Sequence, residues 1–464
     1  MLHPGHLRLL RFAKEFGDYL IVAVYSDKIA AKNSHVHENL RLEGIQSNSW
    51  VDEAFLMTES IEDTLRKIKP DIVVKGKEFE LKYNLEQAIL EEFGGKLIFS
   101  SGETIFSSID LIRREFLETA PNLTNNPQDY LVRHGLSVTS LIKLLQKFSK
   151  LKICVIGDLI IDEYISCQPL GMSQEDPTIV VTPVDSRLFV GGSGIVAAHA
   201  AGLGAEVHFI SVTGDDNSRE FALKELSFAG VKTYLLEDSS RPTTLKQRYR
   251  SKGKTLLRVS HLHQGAISIQ LQAQILQILQ NEVDGIDLLV FSDFNYGCLP
   301  QLLVDQIIEY AKAKNIMLAA DSQSSSQVGD VSRFKNMDLL TPTEHEARIS
   351  TRNQQDGLVV LAEQLKIQSN ASNIILKMGE EGLLVHADRS EDSWLTDRIS
   401  ALNSSPKDVS GAGDSLLIAS AMTLASGGSI WEAAFLGSIA AAVQVGRVGN
   451  IPIKTKEILE ELNQ

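Results

Sequence analysis

The chain has 464 residues, which is long enough for two or three domains. Hydrophobic residues make up 43% and charged residues 22%, as in ordinary globular proteins, and the net charge of −14 argues against nucleic acids or anionic membranes as partners. The three cysteines follow no metal-ligand spacing, and no apolar run is long enough to span a bilayer. We therefore predict a cytoplasmic protein whose partners are small molecules, with a local basic pocket for phosphate groups still open.

The chain opens with MLHPGHLRLL, in which His3 and His6 flank a Pro-Gly pair at the start of a predicted helix. The free N–H groups of a helix start bind anions. Imidazoles placed beside them stabilise the charge that develops on an α-phosphate when pyrophosphate leaves. The same spacing also suits a metal pair or two exposed histidines, so the motif alone leaves the chemistry open.

Apolar runs rich in Val and Ile then alternate with amphipathic stretches, which is the pattern of parallel βαβ units. Strands are predicted at residues 19–27, 71–76 and 96–102. The polar stretch 117–135 interrupts the pattern, and a helix is predicted at 138–148. We therefore divide the chain into a first domain at 1–118, a linker and connecting helix at 119–150, and a second domain at 151–464.

The second domain repeats this alternation over a longer stretch. Its predicted strands lie at 152–165, 206–216, 287–294, 315–322, 338–343 and 373–379. These apolar runs predict a parallel sheet covered by helices, and a Gly/Ala-rich helical region follows them.

The most informative motif is DVSGAGDS at residues 408–415, which precedes an apolar helix of small residues. Gly411, Ala412 and Gly413 leave the N–H groups of the helix start accessible, and the helix dipole adds positive potential, so an anion binds there. Asp414 follows directly and is placed to take the proton of a hydroxyl that attacks a bound phosphoryl group. A glycine turn capped by an aspartate is the alternative interpretation.

Two earlier stretches carry glycines or carboxylates where α/β proteins bind ligands. LFVGGSGIVAAHAAGLGA places Gly191 and Gly192 in a turn before an Ala-rich helix. GDLIIDEY places Asp158 and Asp162 on one face of an extended strand, near the strand end. Two carboxylates in this position suit the hydroxyl groups of a sugar.

PTTLKQRYR places Lys246, Arg248 and Arg250 on one face of a strand, an arrangement that binds phosphate. A solvated edge strand that carries charges is the alternative. The stretch KMGEEG, at 377–382, adds another glycine turn after a strand and suits a nucleotide.

The order of these segments resembles the ribokinase-like, or phosphofructokinase-B type, family of sugar kinases over residues 151–453. The resemblance implies a three-layer α/β domain with a small β lid that uses ATP and Mg²⁺. It assigns Asp414 as the catalytic base and the preceding Gly-Ala-Gly as the anion hole. It matches the family's nucleotide loop to Lys377, Gly379 and Gly382. Glu346, in TPTEHEA, matches the acid of the family's Asn-x-x-Glu motif, which is associated with magnesium.

Within that family the chain is most similar to heptose 7-phosphate kinases. PTTLKQR matches their Pro-Thr-x-x-Lys-x-Arg segment, and SDFNYG resembles their Ser-Asp-Tyr-x-x-Gly segment with Asp293 in place. The likeness implies that Lys246 and Arg248 contact a phosphate that the sugar already carries. The substrate site predicted in this way comprises Asp158, Asp162, Gly191, Gly192, His199, Lys246, Arg248 and Asp293.

The chain departs from the family pattern at three places. Ile195 and His199 stand where asparagines usually follow the Gly-Gly pair. Thr343 replaces the asparagine of the magnesium motif, and a Ser-Gln pair follows Asp321 where Pro-Lys is usual. His199 is either packed in the core or in contact with the sugar, so the likeness implies phosphoryl transfer without fixing the sugar.

The first part of the chain resembles the cytidylyltransferase-like nucleotidyltransferases over residues 1–116, whose signature is His-x-Gly-His. The resemblance implies a Rossmann-like domain that binds ATP or CTP and uses His3 and His6 in catalysis. The nucleotide-binding residues that it implies are Lys75, Ser107, Ser108 and Arg114. Family members begin with a central strand before the signature, and we expect this first strand to be missing here.

Taken together, the two resemblances predict a bifunctional sugar-activating enzyme with the transferase first and the kinase second, the reverse of the commonest order. A sugar kinase with an inactive N-terminal nucleotide-binding or dimerisation module is the main alternative, and a transferase with a degenerate kinase domain is the third. Another segment or subunit could also supply the missing strand. We expect a homodimer, because lids in this kinase family often pair.

Overall fold

The computed structural model describes residues 4–14, 16–30, 37–76, 79, 84–99, 128–176, 178–251, 254–324, 329–387, 395–403 and 405–463. The chain divides into two compact units, residues 1–120 and 121–464. Four predicted site residues lie outside the described residues: His3, Ser107, Ser108 and Arg114. None of the described helices combines the length and the apolar character that a membrane crossing requires.

The smaller unit alternates helices with short parallel strands. Its strands are β1 Ile21–Tyr25, β2 Glu53–Met57, β3 Ile72–Lys75 and β4 Lys96–Phe99, and its helices are α1 Pro4–Lys14, α2 Asp27–Ala30, α3 Glu38–Gln46, α4 Ile61–Ile68 and α5 Leu85–Glu91. Where the unit is described, β1 pairs with β2 and β3 with β4, both in parallel. Helices connect the two strands of each pair, as parallel pairing requires.

The larger unit is built on a sheet that has nine strands in the described residues. In spatial order they are β17 Thr396–Ile399, β16 Leu383–His386, β15 Asn373–Lys377, β14 Leu339–Leu340, β13 Met317–Ser322, β12 Leu288–Asp293, β5 Lys152–Gly157, β8 Glu206–Thr213 and β9 Lys232–Glu237. Neighbours from β15 to β9 are parallel, whereas β16 runs antiparallel to both β15 and β17. Every residue of β12 is buried, as expected for a parallel strand covered on both faces.

Helices of the larger unit pack on both faces of this sheet. They are α6 Gln128–Arg133, α7 Val138–Lys147, α8 Ser193–Gly202, α9 Asn217–Phe228, α10 Ile269–Asn281, α11 Gln301–Ala313, α12 Glu344–Thr351, α13 Leu358–Ser369, α14 Ala412–Ala425, α15 Ile430–Val445 and α16 Thr455–Leu462. Along β5, Ile153 and Val155 belong to one cluster of buried apolar residues, and Cys154 and Ile156 belong to another. Because side chains alternate along a strand, the two clusters lie on opposite faces.

The segment predicted as linker and connecting helix contributes to the core of the larger unit. Tyr130, on α6, is buried, and its hydroxyl donates a 3.0 Å hydrogen bond to the backbone carbonyl of Trp431. The ring of His134 stacks on the Trp431 indole at 4.1 Å, and its Nε2 lies 2.8 Å from Asp397. These contacts attach the chain from residue 128 onward to helix α15 and strand β17.

A separate four-stranded sheet, which we call the lid, has the strand order β11, β10, β6, β7. Its strands are β6 Leu159–Met172, β7 Ile179–Gly192, β10 Thr244–Ser251 and β11 Lys254–His261. Strand β6 begins two residues after β5 ends, so the lid starts at the carboxyl end of a central strand of the main sheet. Ligands of open α/β sheets bind at that edge.

Candidate active site

Helix α14 begins with a glycine that no other residue could replace without strain. Gly411 caps the helix in the left-handed region, with a φ of 77°. A Cβ atom there would lie only 2.6 Å from the side-chain oxygen of Asn450. The first N–H groups of a helix have no partner within it and carry positive potential. The start of α14 therefore has the geometry of the anion hole predicted for residues 411–413.

The loop before this helix is held by Asp408. Its carboxylate accepts hydrogen bonds from the hydroxyl of Tyr164 at 2.7 Å and from the N–H groups of Ser410 and Gly449, each at 3.1 Å. Burial opposes the charged form of Asp408, but these donors outweigh it and lower the pKa. Because Tyr164 belongs to β6, Asp408 connects the lid to the start of α14.

Asp414 is the third residue of α14, and its side chain is buried. Its Oδ1 accepts a 3.0 Å hydrogen bond from Nε2 of Gln323. Burial raises the pKa of Asp414 to about 7, with a further rise from Asp321 and an opposing effect from Lys377. A carboxylate that titrates near neutrality is suited to act as a general base.

Lys377 lies at the end of β15 and faces the same helix start. Its Nζ is 2.6 Å from Oδ2 of Asp321, at the end of β13, and a Cβ atom on Gly413 would come within 3.1 Å of that Nζ. Burial disfavours the charge of Lys377, but Asp321 and Glu346 outweigh burial and raise the pKa. Burial also raises the pKa of Asp321 to about 6, and its Oδ1 is buried without a hydrogen-bond partner.

Glu346 lies at the start of α12 and forms a capping box with Thr343. Its Oε2 accepts the N–H of Thr343 at 2.7 Å, and its Oε1 accepts the N–H of Ser324 at 3.0 Å. Within the part of the chain that is described, no three acidic, histidine or cysteine side chains are placed to hold a metal by themselves. Mg²⁺ at phosphoryl-transfer sites is commonly held by one or two carboxylates, waters and substrate phosphates, and the donor chemistry of Glu346 fits that pattern.

The KMGEEG turn connects β15 to β16 through a short 3₁₀ segment, Gly379–Glu381. Gly379 has a φ of 63° and open space around its Cβ position. Gly382 has a φ of 93°, and a Cβ atom there would lie 2.0 Å from the carbonyl oxygen of Ile399. Gly382 is thus required by the strand pairing, whereas Gly379 leaves an open backbone surface next to Lys377.

Asp162 and Asn450 form a polar floor between the lid and α14. Nδ2 of Asn450 donates to Oδ2 of Asp162 at 3.1 Å, and the Arg248 guanidinium lies 3.1 Å from Oδ1. Gly191 leaves room for this carboxylate, because a Cβ atom there would lie 2.3 Å from Oδ2 of Asp162 and would force it to shift. Oδ1 of Asn450 is buried without a hydrogen-bond partner and points to the start of α14 beside Gly411. The sequence prediction missed Asn450, which carries no local signal.

The lid also contributes a basic cavity of about 220 Å³. Four basic side chains and one acidic side chain line it: Arg248, Arg250, Arg258, Lys407 and Asp408. Arg248 and Arg258 stand directly opposite each other on β10 and β11. Lys246, two residues before Arg248, lies over the rings of Phe294 and Tyr296, at 5.3 and 5.1 Å from their centroids. The sequence prediction missed Arg258 and Lys407.

The prediction that Asp158 and Asp162 share one face of a strand is wrong. Asp158 lies between β5 and β6, and its buried carboxylate accepts the backbone N–H groups of Phe294, Tyr296 and Cys298 at 2.9 to 3.2 Å. Burial raises its pKa to about 6. Asp158 therefore fixes the loop that follows β12, and of the two carboxylates only Asp162 belongs to the polar floor.

Two further predicted residues of the substrate site, Asp293 and Gly192, have defined structural roles. Asp293, at the end of β12, accepts from the hydroxyl of Ser322 and the guanidinium of Arg333, each at 2.8 Å. Gly192 has a φ of 57°, and a Cβ atom there would lie 2.5 Å from the carbonyl oxygen of Asp158. Gly192 thus permits the turn from β7 into α8.

His199 is packed in the core, and its predicted contact with the sugar is not supported. The side chain is completely buried in α8, and its Nδ1 accepts the N–H of Ile453 at 3.0 Å. Burial lowers the pKa of His199 to about 3, so the ring is neutral, and its Nε2 has no partner. The Ala-rich helix and the segment before α16 thus meet at this ring.

In the smaller unit, the described candidate residues are His6 and Lys75. His6 lies on α1 and is exposed. Lys75, at the end of β3, donates to Oδ1 of Asn84 at 2.8 Å and to Oε1 of the buried Glu86 at 2.7 Å. Its Nζ also lies 4.8 Å from the ring centroid of Phe79. The lysine assigned to a nucleotide is therefore held by neighbours in its own unit.

Known proteins are similar to about two thirds of this chain. The chain is 32% identical over 318 residues to the bifunctional protein HldE of Helicobacter hepaticus, covering 67% of this chain and 64% of that protein. It is 30% identical over 320 residues to HldE of Trichlorobacter lovleyi, covering 68% and 64%. The chain thus spans slightly less than two thirds of the length of these relatives. Ribokinase from Thermotoga maritima matches with a TM-score of 0.54 at 21% identity, over 68% of this chain and all of that one, which confirms the fold.

Family models match both units. The model for cytidylyltransferase-like proteins matches residues 1–98, which supports a Rossmann-like fold for the smaller unit. The model for pfkB family carbohydrate kinases matches residues 150–456, about two thirds of the chain. The chain therefore belongs to the pfkB family of carbohydrate kinases.

Proposed function

We propose that the larger unit transfers the γ-phosphoryl group of ATP to a hydroxyl group of a phosphorylated sugar, such as a heptose 7-phosphate. The observation that carries this proposal is the position of Asp414. It is a buried carboxylate with a pKa of about 7, and it lies in the first turn of an anion-binding helix that Lys377 faces. Base, cation and backbone donors are thus assembled around one point.

The proposed reaction needs one proton transfer and one displacement. Asp414 takes the proton of the sugar hydroxyl, and the hydroxyl oxygen attacks the γ-phosphorus as the bond to the bridging oxygen breaks and ADP leaves. Lys377 and the N–H groups at the start of α14 offset the charge on the transferring group. The open backbone at Gly379 supports a nucleotide beside Lys377.

Mg²⁺ neutralises phosphate charge in such reactions when it is bound. Glu346 would hold it, because each of its carboxylate oxygens accepts one backbone N–H and keeps a further lone pair for a metal. ATP and Mg²⁺ are thus the co-substrate and cofactor that we propose.

The polar floor and the basic cavity support a sugar that already carries a phosphate. Asp162 and the unpartnered Oδ1 of Asn450 suit sugar hydroxyls beside Asp414. Arg248 and Arg258 are like charges directly opposite each other on adjacent strands, and Asp162 pairs with Arg248, so a phosphate in the cavity would add an anion close to both arginines. Tyr164 lines the cavity and lies two residues, or about 7 Å, from Asp162 along β6. A sugar whose hydroxyl groups contact Asp162 would thus place the phosphate at its far end in the cavity.

The test is an assay of ADP formation with ATP, Mg²⁺ and matched pairs of phosphorylated and unphosphorylated sugars. We expect turnover of a phosphorylated heptose, and a KM for that sugar at least about tenfold higher in Arg258→Ala, because a charge-assisted contact is lost. Arg187→Ala removes an exposed arginine of β7 as the matched control and should leave KM unchanged. A KM equally insensitive to both substitutions would refute the phosphate site.

We further propose that the smaller unit transfers a nucleotidyl group from ATP or CTP to a sugar 1-phosphate and releases pyrophosphate. The HPGH signature, with His6 at the start of α1, supports this activity, and the unit precedes the kinase in the chain. His3, Ser107, Ser108 and Arg114 complete the proposed site. Pyrophosphate release in the presence of ATP or CTP is the measurement that tests it.

The second candidate function is a sugar kinase whose smaller unit is an inactive nucleotide-binding or dimerisation module. The observation that favours it is the pairing of Lys75 with Glu86 and Asn84, which occupies the lysine assigned to the nucleotide. Absence of pyrophosphate release beside robust ADP formation would select this candidate.

We also propose that the protein is a cytoplasmic homodimer. Strands β6 and β7 pair beyond the rest of the lid, and the far end of this pair exposes large apolar side chains, which include Leu170, Met172 and Ile179. Such side chains suit a contact with a second copy of the chain. Light scattering of the purified chain measures the oligomeric state directly.

The proposed compartment rests on the cysteines. All three are buried free thiols, which suits a reducing compartment.

A further inference from the structure

Gln323 follows the last residue of β13 and contacts Asp414 from outside helix α14. Its Nε2 donates a 3.0 Å hydrogen bond to Oδ1 of Asp414. Its own N–H donates to the carbonyl of Asp293 at 2.8 Å, and its carbonyl accepts from Nδ2 of Asn295 at 3.1 Å. The backbone of Gln323 is thus fixed to the end of β12, and its amide reaches Asp414 from a rigid position.

Four charged side chains shift the pKa of Asp414: Asp321, Asp162, Lys377 and Lys246. Burial is the largest cause of the raised pKa, the two acids add to it, and the two lysines oppose it. Gln323 differs from all four, because it makes the direct hydrogen bond and carries no charge.

We propose that Gln323 is a positioning residue of the kinase site: its amide holds Oδ1 of Asp414, which leaves Oδ2 for the sugar hydroxyl. Because the amide is neutral, Asp414 stays a stronger base than it would be beside a cation. This inference rests on the proposed function, in which Asp414 takes the hydroxyl proton. A donor on one oxygen restricts rotation of the carboxylate, and such orientation affects turnover more than substrate affinity.

A charge series at position 323 provides the test. Gln323→Lys places an ammonium group against Asp414, which lowers the pKa of a carboxyl group by about 1 to 3. Gln323→Glu places a like charge there and raises it. Asp414 must be deprotonated to act, so turnover falls as the pH drops through its pKa of about 7. The ratio of kcat at pH 6 to kcat at pH 8 should therefore rise about fivefold in Gln323→Lys and fall in Gln323→Glu.

Gln323→Met keeps the length of the side chain and removes the hydrogen bond. We expect kcat to fall about tenfold, while KM for ATP stays within about twofold, because the nucleotide contacts are unchanged. Gln270→Lys introduces the same charge on the exposed surface of α10 and should leave the pH profile in place. Misfolding lowers kcat by the same factor at every pH, so it cannot produce opposite shifts in the Lys and Glu variants.

The outcomes separate this inference from the proposed function. A pH profile that stays in place in both charged variants would overturn the role of Gln323, provided that wild-type protein is active and Asp414→Asn is not. Equal loss of kcat and of ATP affinity in Gln323→Met would also overturn it, since that indicates general damage. If wild-type protein forms no ADP, or if Asp414→Asn retains turnover, the proposed function itself is wrong.

Discussion

The two units differ in how their charged side chains are paired. In the larger unit, Asp321, Lys377 and Asp414 come from three separate elements and meet at one helix start. In the smaller unit, Lys75 is neutralised by Glu86, and Arg41 binds Asp27 and the carbonyl of Tyr25. The first arrangement leaves an acid with a pKa near 7, whereas the second uses its charges to connect neighbouring segments. Paired charges near a sheet edge therefore identify a site only where the pairing is incomplete.

We expect Asp414→Asn to have the largest effect, and to affect the reaction of the larger unit alone. Asparagine keeps the shape and can still accept the hydrogen bond from Gln323, but it cannot take a proton. We expect kcat for ADP formation to fall on the order of 10³-fold. Affinity for a non-hydrolysable ATP analogue, measured by calorimetry, should be unchanged, and pyrophosphate release by the smaller unit should persist. Turnover close to that of wild type would show that another group is the base.

A comparison of two lysines tests the contrast directly. Lys377→Met removes the cation at the proposed anion hole and should lower kcat by about 10²-fold or more. It also removes a charge that lowers the pKa of Asp414, so the fall of kcat on the acid side should move to higher pH. Lys75→Met leaves the buried Glu86 without its cation and should cost the smaller unit about 2 kcal/mol of stability.

The matched readout is kinase turnover in both lysine variants, measured with saturating ATP and sugar phosphate. Lys75→Met should keep kcat for ADP formation within about twofold of wild type, because Asn84 and Glu86, its hydrogen-bond partners among the described residues, belong to the smaller unit. A loss in Lys75→Met as large as that in Lys377→Met would contradict the contrast between the units.

Much of the fold follows from local sequence patterns. Buried parallel strands carry continuous apolar runs, and these predicted β1, β3, β4 and most strands of the main sheet. The run 152–165 predicts one strand, but the structure divides it at Asp158. The division depends on N–H donors from residues 294–298, more than 130 positions away, which no local pattern reveals. The apolar-run pattern does not predict strand β2, EAFLM, because it contains no Val or Ile, unlike β1, β3 and β4.

The same rule explains which site residues could be predicted. The proposed anion hole and the proposed base lie within four consecutive residues, 411–414, so one motif contains the backbone donors and the carboxylate. Gln323 and Asn450 reach the site across 91 and 288 positions, from Asp414 and Asp162 respectively. His199 illustrates the opposite case, because its place after the Gly-Gly pair suggested a ligand while the fold buries it completely.

His199 supports the smallest of the expected effects, which concerns stability rather than turnover. In the folded chain its pKa is about 3, whereas an unfolded histidine titrates near 6.5. Below pH 6.5 the unfolded chain therefore binds more protons at this residue than the folded chain. The contribution of His199 to the free energy of unfolding is therefore complete above pH 6.5, and it is lost as the pH falls from 6.5 towards 3.

His199→Gln isolates this contribution, because the glutamine oxygen can still accept the N–H of Ile453 but does not titrate. Between pH 7 and pH 5, wild-type protein should lose about 2 kcal/mol more unfolding free energy than the variant, measured by urea unfolding at the two pH values. The buried acids titrate equally in both proteins and cancel in the difference. His345→Gln, at an exposed position of α12, serves as the control and should show the same pH dependence as wild type. If the unfolding free energy of His199→Gln showed the same pH dependence as that of wild type, the His199 ring would have to be protonated in the folded chain. The conclusion that a neutral ring packs against Ile453 would then be wrong.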